Sequence, residues 1–411
     1  MKKQTKLVAV LSTAALLAIG ASMTSFAATG WAEEDGTWVY YDRNGDKVTD
    51  KWAKSGNNWY YLDGNGEMAV DTLIEDGDNY YYVDANGVMA ANQWVAIDNE
   101  DAGQDDEPEH YWYYFQANGK AYTNGDNSKV SLKTINGKKY AFDDEGKMLY
   151  GWVDEGNAEH LDNTSNDAVI KNNPTYYFGG EDDGAMTTGW LQIDVTYDDA
   201  TNGDYKYVAA AFNDDEDQTR WFYFKSNGKM VKADDGNKTK DKTINGKKYA
   251  FDVHGAMVAE WSLNEKKLGD GGLASYSSVV AATTSDVISG KAGKKTDAHY
   301  TQAWRYYNSV EDGSRVSKGW FKVVSAELIN SGKYDDDEDA WYYADGNGKL
   351  YAGQFRTIKG KKYAFYNDGR MISGLKFILD NGNDNLTVAA DDDPGKGQTT
   401  RLSLNPFLVH T

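Results

Sequence analysis

The chain has 411 residues, no cysteine and only 4 prolines. Without cysteine there can be no disulfide, no thiolate metal site and no thiol nucleophile. Positive charge is also short, with 43 Lys and Arg against 64 Asp and Glu and a formal charge of −21. That balance disfavours nucleic acid, whose phosphates need a basic surface, and disfavours anionic membrane surfaces. Aliphatic bulk is scarce as well. Hydrophobic residues make up 40% of the chain, and a large part of that share is aromatic. A conventional enzyme core of Leu, Ile and Val is hard to build from this. What the chain does have is 42 Gly, 30 Tyr and 13 Trp, so its apolar surface lies on rings at glycine-punctuated intervals.

The N-terminus accounts for one part of the balance. Lys2, Lys3 and Lys6 precede an apolar run from Leu7 to Ile19, and small residues then lead to Ser25-Phe26-Ala27. A basic region, a short apolar region and a small-x-Ala site read as a secretory signal over residues 1–27. The run is well short of the ~20 residues that cross a bilayer. No later stretch is long enough to do so, so no transmembrane segment is expected in the mature chain. Removal of the signal takes away three lysines and no acid, which leaves −24. Export without disulfides suits a Gram-positive bacterium.

The rest of the chain is repetitive. Trp31, Trp52, Leu73 and Trp94 fall 21 residues apart, a fixed period that marks a repeat architecture. Each unit has a short first segment, an aromatic second segment such as Trp59-Tyr60-Tyr61-Leu62, and then a turn such as Asn65-Gly66. Aromatic runs favour strands, and Asn-Gly supplies the positive φ angles of a tight turn. The unit therefore reads as a β-hairpin plus a connecting turn. All 13 Trp fall in two columns. Trp31, Trp52, Trp94, Trp152, Trp190, Trp261 and Trp320 open units, while Trp38, Trp59, Trp112, Trp221, Trp304 and Trp341 begin the second strand. Every methionine beyond the signal lies two residues after a turn glycine: Met68, Met89, Met148, Met186, Met230, Met257 and Met371. Eleven units are complete. A twelfth starts near Gly374 without an aromatic strand and reads as a truncated or frameshifted end, which a well-packed Phe407 would contradict.

A longer period is superimposed. KTINGKKYAF stands at 133–142 and 242–251, and RTIKGKKYAF at 356–365. Two other hairpins separate each pair, which predicts an all-β hairpin solenoid of about 12 repeats with about three hairpins per superhelical turn. The expected divisions are four compact hairpins over 28–130, three-hairpin blocks over 131–241 and 242–355, and an incomplete block over 356–411. Long inserts rich in Asp, Asn, Gly, Ser and Lys separate the opening residue from the aromatic strand, for instance Ser262–Gln302 and Val323–Asp339. They read as solvated hairpin tips, with a small structured excursion around Val279-Val280-Ala281-Ala282. No EF-hand spacing supports calcium in their acidic clusters, and no cofactor is implied.

Alternation along a strand puts Trp59 and Tyr61 on one face and Tyr60 and Leu62 on the other. One face can feed a core. The other can meet the opening Trp and the next hairpin at a groove with a flexible Met at its edge. Such a groove suits a quaternary ammonium group, at ~0.5–2 kcal/mol per ring, or a sugar face stacked on indole. Pure packing competes with both readings, and for the TING hairpins, which lack Trp, it is preferred.

The pattern GW-x(n)-G-x-WYY-x-D-x-NG-x-M-x-x-GW resembles the choline-binding, or cell-wall-binding, repeats of Gram-positive surface proteins. That class includes the glucan-binding repeats of streptococcal glucosyltransferases. TINGKKYAFDDEGKM is similar to short repeats in the C-terminal domains of large clostridial toxins. The resemblance covers residues 30–373. It implies ligand sites between consecutive hairpins, each built from the opening Trp, the strand Trp and a ring of the next hairpin. Carried over, the candidates are Trp31 and Trp38 with Tyr60 or Tyr61, and Trp52 and Trp59 with Tyr80 or Tyr81. The pairs Trp94/Trp112, Trp190/Trp221, Trp261/Trp304 and Trp320/Trp341 follow. Leu73, Ile135, Ile244 and Ile358 are placed in the opening column, where a full cage would be missing. The implied partner is choline on cell-wall teichoic acid or a surface polysaccharide, and the implied location is the outside of the cell, held noncovalently to the wall. A lectin-like array for glucans or host glycans and a structural surface spacer are the alternatives. Catalysis is not expected: His110, His160, His254, His299 and His410 are scattered, and none pairs at metal-ligand spacing.

Overall fold

The computed structural model describes residues 29–104, 107–161, 174–196, 217–234, 239–263, 296–326, 329–374, 376, 378–380 and 382–388. The signal reading, Val279–Ala282 and Phe407 lie outside them. Among the described residues the chain forms twelve two-stranded antiparallel sheets, each pairing consecutive strands, β1–β2 through β23–β24. The first hairpins are β1 (Gly30–Glu34) with β2 (Thr37–Tyr41), β3 (Lys51–Ser55) with β4 (Asn58–Leu62), and β5 (Thr72–Asp76) with β6 (Asn79–Val83). Helix is confined to α1 (Thr296–Ala303) and α2 (Ser331–Asp335) among the described residues. The chain divides into two compact units, one of residues 1–94 and 114–121, the other of 95–113 and 122–411. The division passes through β7 (Gln93–Asp98) and β8 (His110–Phe115) of the fourth hairpin.

Two kinds of turn shape the compact repeats. Where no insert intervenes, a two-residue turn joins the strands, and in the TING hairpins both of its residues have positive φ, as at Asn136 (49°) and Gly137 (82°). The turn after the aromatic strand works differently, because only its glycine is left-handed. There the carboxylate of Asp63 accepts the amides of Asn65 at 2.9 Å and Glu67 at 2.8 Å. The chain then doubles back so that Met68 bridges Leu62.

The methionine column joins one hairpin to the next. The Met68 amide donates to the Trp38 carbonyl at 2.7 Å, and the Met89 amide to the Trp59 carbonyl at 2.9 Å. In the second unit Met148, Met230, Met257 and Met371 make the same backward bond at 2.7–2.8 Å. Each side chain reaches forward instead: Met68 packs under Gly87, Met148 under Gly184 and Met257 under Gly313. Methionine here is an inter-repeat spacer rather than the flexible edge of a groove.

The fourth position of the aromatic strand is the core. Leu62, Val83 and Phe115 are fully buried in the first unit, as are Phe142, Phe178, Phe224, Phe251, Tyr307 and Phe365 in the second. Register also corrects the opening column. Ile135, Ile244 and Ile358 pair with Lys138, Lys247 and Lys361 beside the two-residue turn. The position that carries Trp elsewhere is Asp241 in β15 (Lys240–Ile244) and Phe355 in β21 (Phe355–Ile358). The tight turn fixes the register, so the repeats align from the turn and not from the segment start.

Two inserts are more than solvated tips. The end of the Ser262–Gln302 insert forms α1, whose Ala298, Tyr300, Thr301 and Gln302 are buried. In the Val323–Asp339 insert, Ser325, Ala326 and Ile329 are buried ahead of α2. The Asp380–Arg401 stretch likewise supplies a strand: β24 (Leu386–Val388) pairs with β23 (Ile378–Asp380), with Leu386 buried. The twelfth unit is therefore a hairpin, although no aromatic residue occupies either strand.

Candidate ligand-binding site

Opposed residues on an antiparallel pair share a face, and register places both Trp columns together. Trp31 opposes Tyr40 while Trp38 opposes Glu33, two residues along. The same holds for Trp52/Tyr61 with Trp59/Lys54, Trp190/Tyr223 with Trp221/Gln192, and Trp320/Tyr343 with Trp341/Lys322. The opposite face carries Ala53, Tyr60 and Leu62, and it is this face that meets the preceding hairpin.

The third ring is contributed by the second aromatic position of the next hairpin. Tyr60 lies 5.2 Å from Trp31 and Tyr81 lies 5.0 Å from Trp52. Tyr61 does not close the first corner, since it packs on Trp52 of its own hairpin at 5.1 Å. In the second unit Trp190 meets Trp221 at 6.3 Å and 87°, and Tyr249 approaches it at 4.9 Å. Trp320 meets Trp341 at 6.3 Å and 88°, with Tyr363 at 4.8 Å. Tyr249 and Tyr363 belong to TING hairpins. These hairpins have no Trp of their own, yet they complete the three-ring corner of the hairpin before them.

Two predicted pairs remain, Trp94/Trp112 and Trp261/Trp304. Trp94 packs on Tyr114 at 5.1 Å in the first unit, while Trp112 belongs to the second. Trp261 and Trp304 are core, at 6% and 1% exposure. Tyr342, the second position of the next aromatic strand, lies 5.1 Å from Trp261 as in the other corners, while Tyr300 of α1 packs 6.1 Å from Trp304 and helps bury the position. Trp59 and Trp341, by contrast, are 39% and 42% exposed.

Carboxylates at the indole edges were not found by sequence reasoning. The Trp52 Nε1 donates to Asp76 at 3.1 Å, Trp112 to Asp182 at 3.1 Å and Trp221 to Glu311 at 3.3 Å. In the last two cases the acid comes from the turn two hairpins further on. The neighbouring acids, Asp183 and Asp312, pair with Lys138 and Lys247 of the intervening TING hairpin at 3.3 and 3.1 Å. The signal was present as Asp182-Asp183-Gly184 and Glu311-Asp312-Gly313, hidden among many other acids. Burial raises the pKa of Tyr61, with Asp50 and Asp76 adding to it, and burial together with Asp76 raises that of Tyr81. Both phenols stay neutral and present rings and hydroxyls only.

A cation already tests one ring. The Lys54 ammonium sits 5.6 Å from the centre of Trp59. At an exposed indole this attraction is worth ~0.5–1 kcal/mol. Lys54→Ala should therefore strengthen tetramethylammonium binding at this hairpin about two- to fivefold, read from the ¹⁹F resonance of 5-fluorotryptophan at position 59. No change in the titration midpoint would show that Lys54 does not compete for the ring.

Paired indoles on one face of each of several hairpins, closed by a ring from the next, form a repeated aromatic corner. Residues 28–73 and 51–94 match the choline-binding repeat family, and residues 217–230 match the cell wall binding repeat. Among curated proteins the chain is similar to glucosyltransferase-S of Streptococcus mutans serotype c, at 27% identity over 399 residues. It is also similar to glucosyltransferase-I of Streptococcus downei, at 26% identity over 283 residues. These alignments cover 86% and 64% of this chain but only 22% and 16% of those enzymes. Among solved structures, choline binding protein F of Streptococcus pneumoniae is 19% identical over 84% of this chain and 92% of its own, with a TM-score of 0.38. The modular autolysin LytC of the same species, in complex with a synthetic peptidoglycan ligand, is 17% identical over 85% of this chain and 55% of its own, with a TM-score of 0.39.

Proposed function

We propose that the protein is a noncatalytic wall-binding protein that holds a surface polymer through choline or a related quaternary ammonium group seated at its three-ring corners. The reading rests above all on one observation. The Trp190/Trp221/Tyr249 corner recurs as Trp320/Trp341/Tyr363 with the same inter-indole distance and nearly the same angle. Rings held at right angles present faces and edges to one point, which suits a compact alkylammonium better than one flat sugar ring. Each corner alone would bind weakly, at ~4 kcal/mol for a millimolar site. Several tethered sites on one polymer would add ~10²–10⁴-fold in avidity. A position outside the cell, noncovalently attached to the wall, follows from this reading, as does the absence of a role for nucleic acid.

The proposed solenoid with about three hairpins per turn is supported by two hydrogen bonds in the second unit that reach from one hairpin to the second one after it, at Trp112/Asp182 and Trp221/Glu311. The glucosyltransferase relatives favour a second reading, a repeat array for glucans. Intrinsic fluorescence during titration with choline, and separately with isomalto-oligosaccharides, distinguishes the two. Choline should change the emission, and Trp221→Ala with Trp341→Ala should reduce that response by at least half. A flat choline response with a saturable response to the oligosaccharide would replace the first reading with the second.

A further inference from the structure

The second unit carries an open cleft of about 390 Å³ outside every three-ring corner. Three separate segments build it. The fourth hairpin gives Glu107 and Tyr111, the turn after β10 (Lys138–Tyr140) gives Asp143 and Lys147, and the start of the sixth hairpin with its insert gives Tyr150, Glu159 and His160. The volume falls in the range of small-ligand pockets.

The walls are fixed before any ligand arrives. The Tyr111 hydroxyl donates to Glu107, and the Asn99 amide reaches the same carboxylate at 2.9 Å and the Pro108 carbonyl at 3.0 Å. Hydrogen bonds from Tyr111 and then Asn99 hold Glu107 below the ordinary carboxylate range, so it is ionised. Across the cleft, His160 stacks on Tyr150 at 4.2 Å, and its Nδ1 lies 2.9 Å from the Tyr150 carbonyl. The Asn157 amide donates to Glu159 at 3.0 Å.

Charge then sets the ligand class. Glu107, Asp143 and Glu159 line the cleft with one ammonium, Lys147, and the His160 ring. Asp143 is committed to its own turn, where it accepts the Lys147 amide at 2.7 Å and burial raises its pKa to about 6, so the acids left for a ligand are Glu107 and Glu159. Lys147 is already paired with Glu145 at 2.7 Å and sits 4.5 Å over the Tyr111 ring. The cleft therefore holds surplus carboxylate beside aromatic and aliphatic walls, with Met148 and Leu149 buried behind it. Carboxylates accept from ammonium and hydroxyl donors, and charge-assisted bonds are the stronger kind.

We infer that this cleft is a second binding site, for a sugar bearing a free amine, with Glu107 and Glu159 holding the ammonium and the remaining walls receiving the ring and its hydroxyls. It would recognise a de-N-acetylated hexosamine unit of a surface glycan. It is independent of the aromatic corners and does not rest on the choline reading.

The test uses the full chain in calorimetric titrations with glucosamine, N-acetylglucosamine, glucose and choline. Glucosamine should bind, with N-acetylglucosamine and glucose at least tenfold weaker. Glu107→Gln together with Glu159→Gln should weaken glucosamine at least tenfold while leaving the unfolding midpoint and the choline response in place. Trp221→Ala with Trp341→Ala should leave glucosamine binding unchanged. The inference is overturned by no glucosamine binding, by equal binding of the uncharged sugars, or by indifference to the two glutamine substitutions. It is equally overturned if choline displaces glucosamine and the tryptophan variants lose both, since the amine would then sit at the corners.

Discussion

Gly313→Ala is expected to destabilise the second unit by about 2–5 kcal/mol in denaturant unfolding, the sum of two separable costs. Gly313 has φ +55°, where an L side chain costs ~1–2 kcal/mol. Its Cβ would also fall 2.3 Å from the Met257 sulfur and 2.4 Å from its methyl carbon, and overpacking of a filled site costs ~1–3 kcal/mol. Gly246→Ala is the control. Its φ is +80°, but nothing lies within 4 Å of the added carbon, so only the backbone cost should appear. Met257→Ala in the Gly313→Ala background should return part of the loss, giving a coupling of ~1–3 kcal/mol in the double-mutant cycle. Equal losses at Gly313 and Gly246 would sink the idea that methionine is the spacer between repeats. Stacked repeats draw much of their stability from nearest-neighbour interfaces, so damage at one such interface should weaken cooperativity as well as lower the midpoint.

That interface shows where sequence reading reached and where it stopped. The regular spacing of Met after a turn glycine was visible, and so was its inter-repeat period. What could not be read was direction, because a methionine two residues past a turn can face solvent, a groove or the next repeat. Its backward amide bond and forward side chain emerge only once two hairpins are placed together. The hairpins and the face shared by the two Trp columns followed from alternation, a local rule. The opening column of the TING hairpins was misaligned because it was counted from the start of the segment. The Asn136-Gly137 turn determines register, and counting back from it puts Ile135 at the tip. The third ring was narrowed to two tyrosines for each of the first two corners. Choosing Tyr60 over Tyr61 required knowing which face of one hairpin meets its predecessor. Indole-to-carboxylate bonds reaching two hairpins onward were invisible for the same reason: partners 70 and 90 residues apart carry no local pattern.

Trp304 and Trp341 occupy the same sequence column, and their replacement by alanine should give opposite results. Trp304 is 1% exposed, is packed by Tyr300 of α1 and belongs to a buried aromatic cluster with Trp261, Phe321 and Tyr342. Its removal leaves a cavity the size of an indole in a close-packed site, so Trp304→Ala should cost ~3–5 kcal/mol. It should leave the choline response of the folded protein close to wild type. Trp341 is 42% exposed and meets Trp320 at right angles, so Trp341→Ala should cost about 1 kcal/mol or less while removing the ligand response of its corner. The two measurements are the unfolding midpoint and the amplitude of choline-dependent fluorescence. A stable Trp304→Ala protein that had lost ligand binding would mean that α1 opens and that the ninth hairpin is a working site. A Trp341→Ala protein with a full choline response would remove this corner from the binding surface. The column therefore carries two roles, and what separates them is where the insert packs: Tyr300 of α1 lies on Trp304, whereas the insert that forms α2 leaves Trp341 open to solvent.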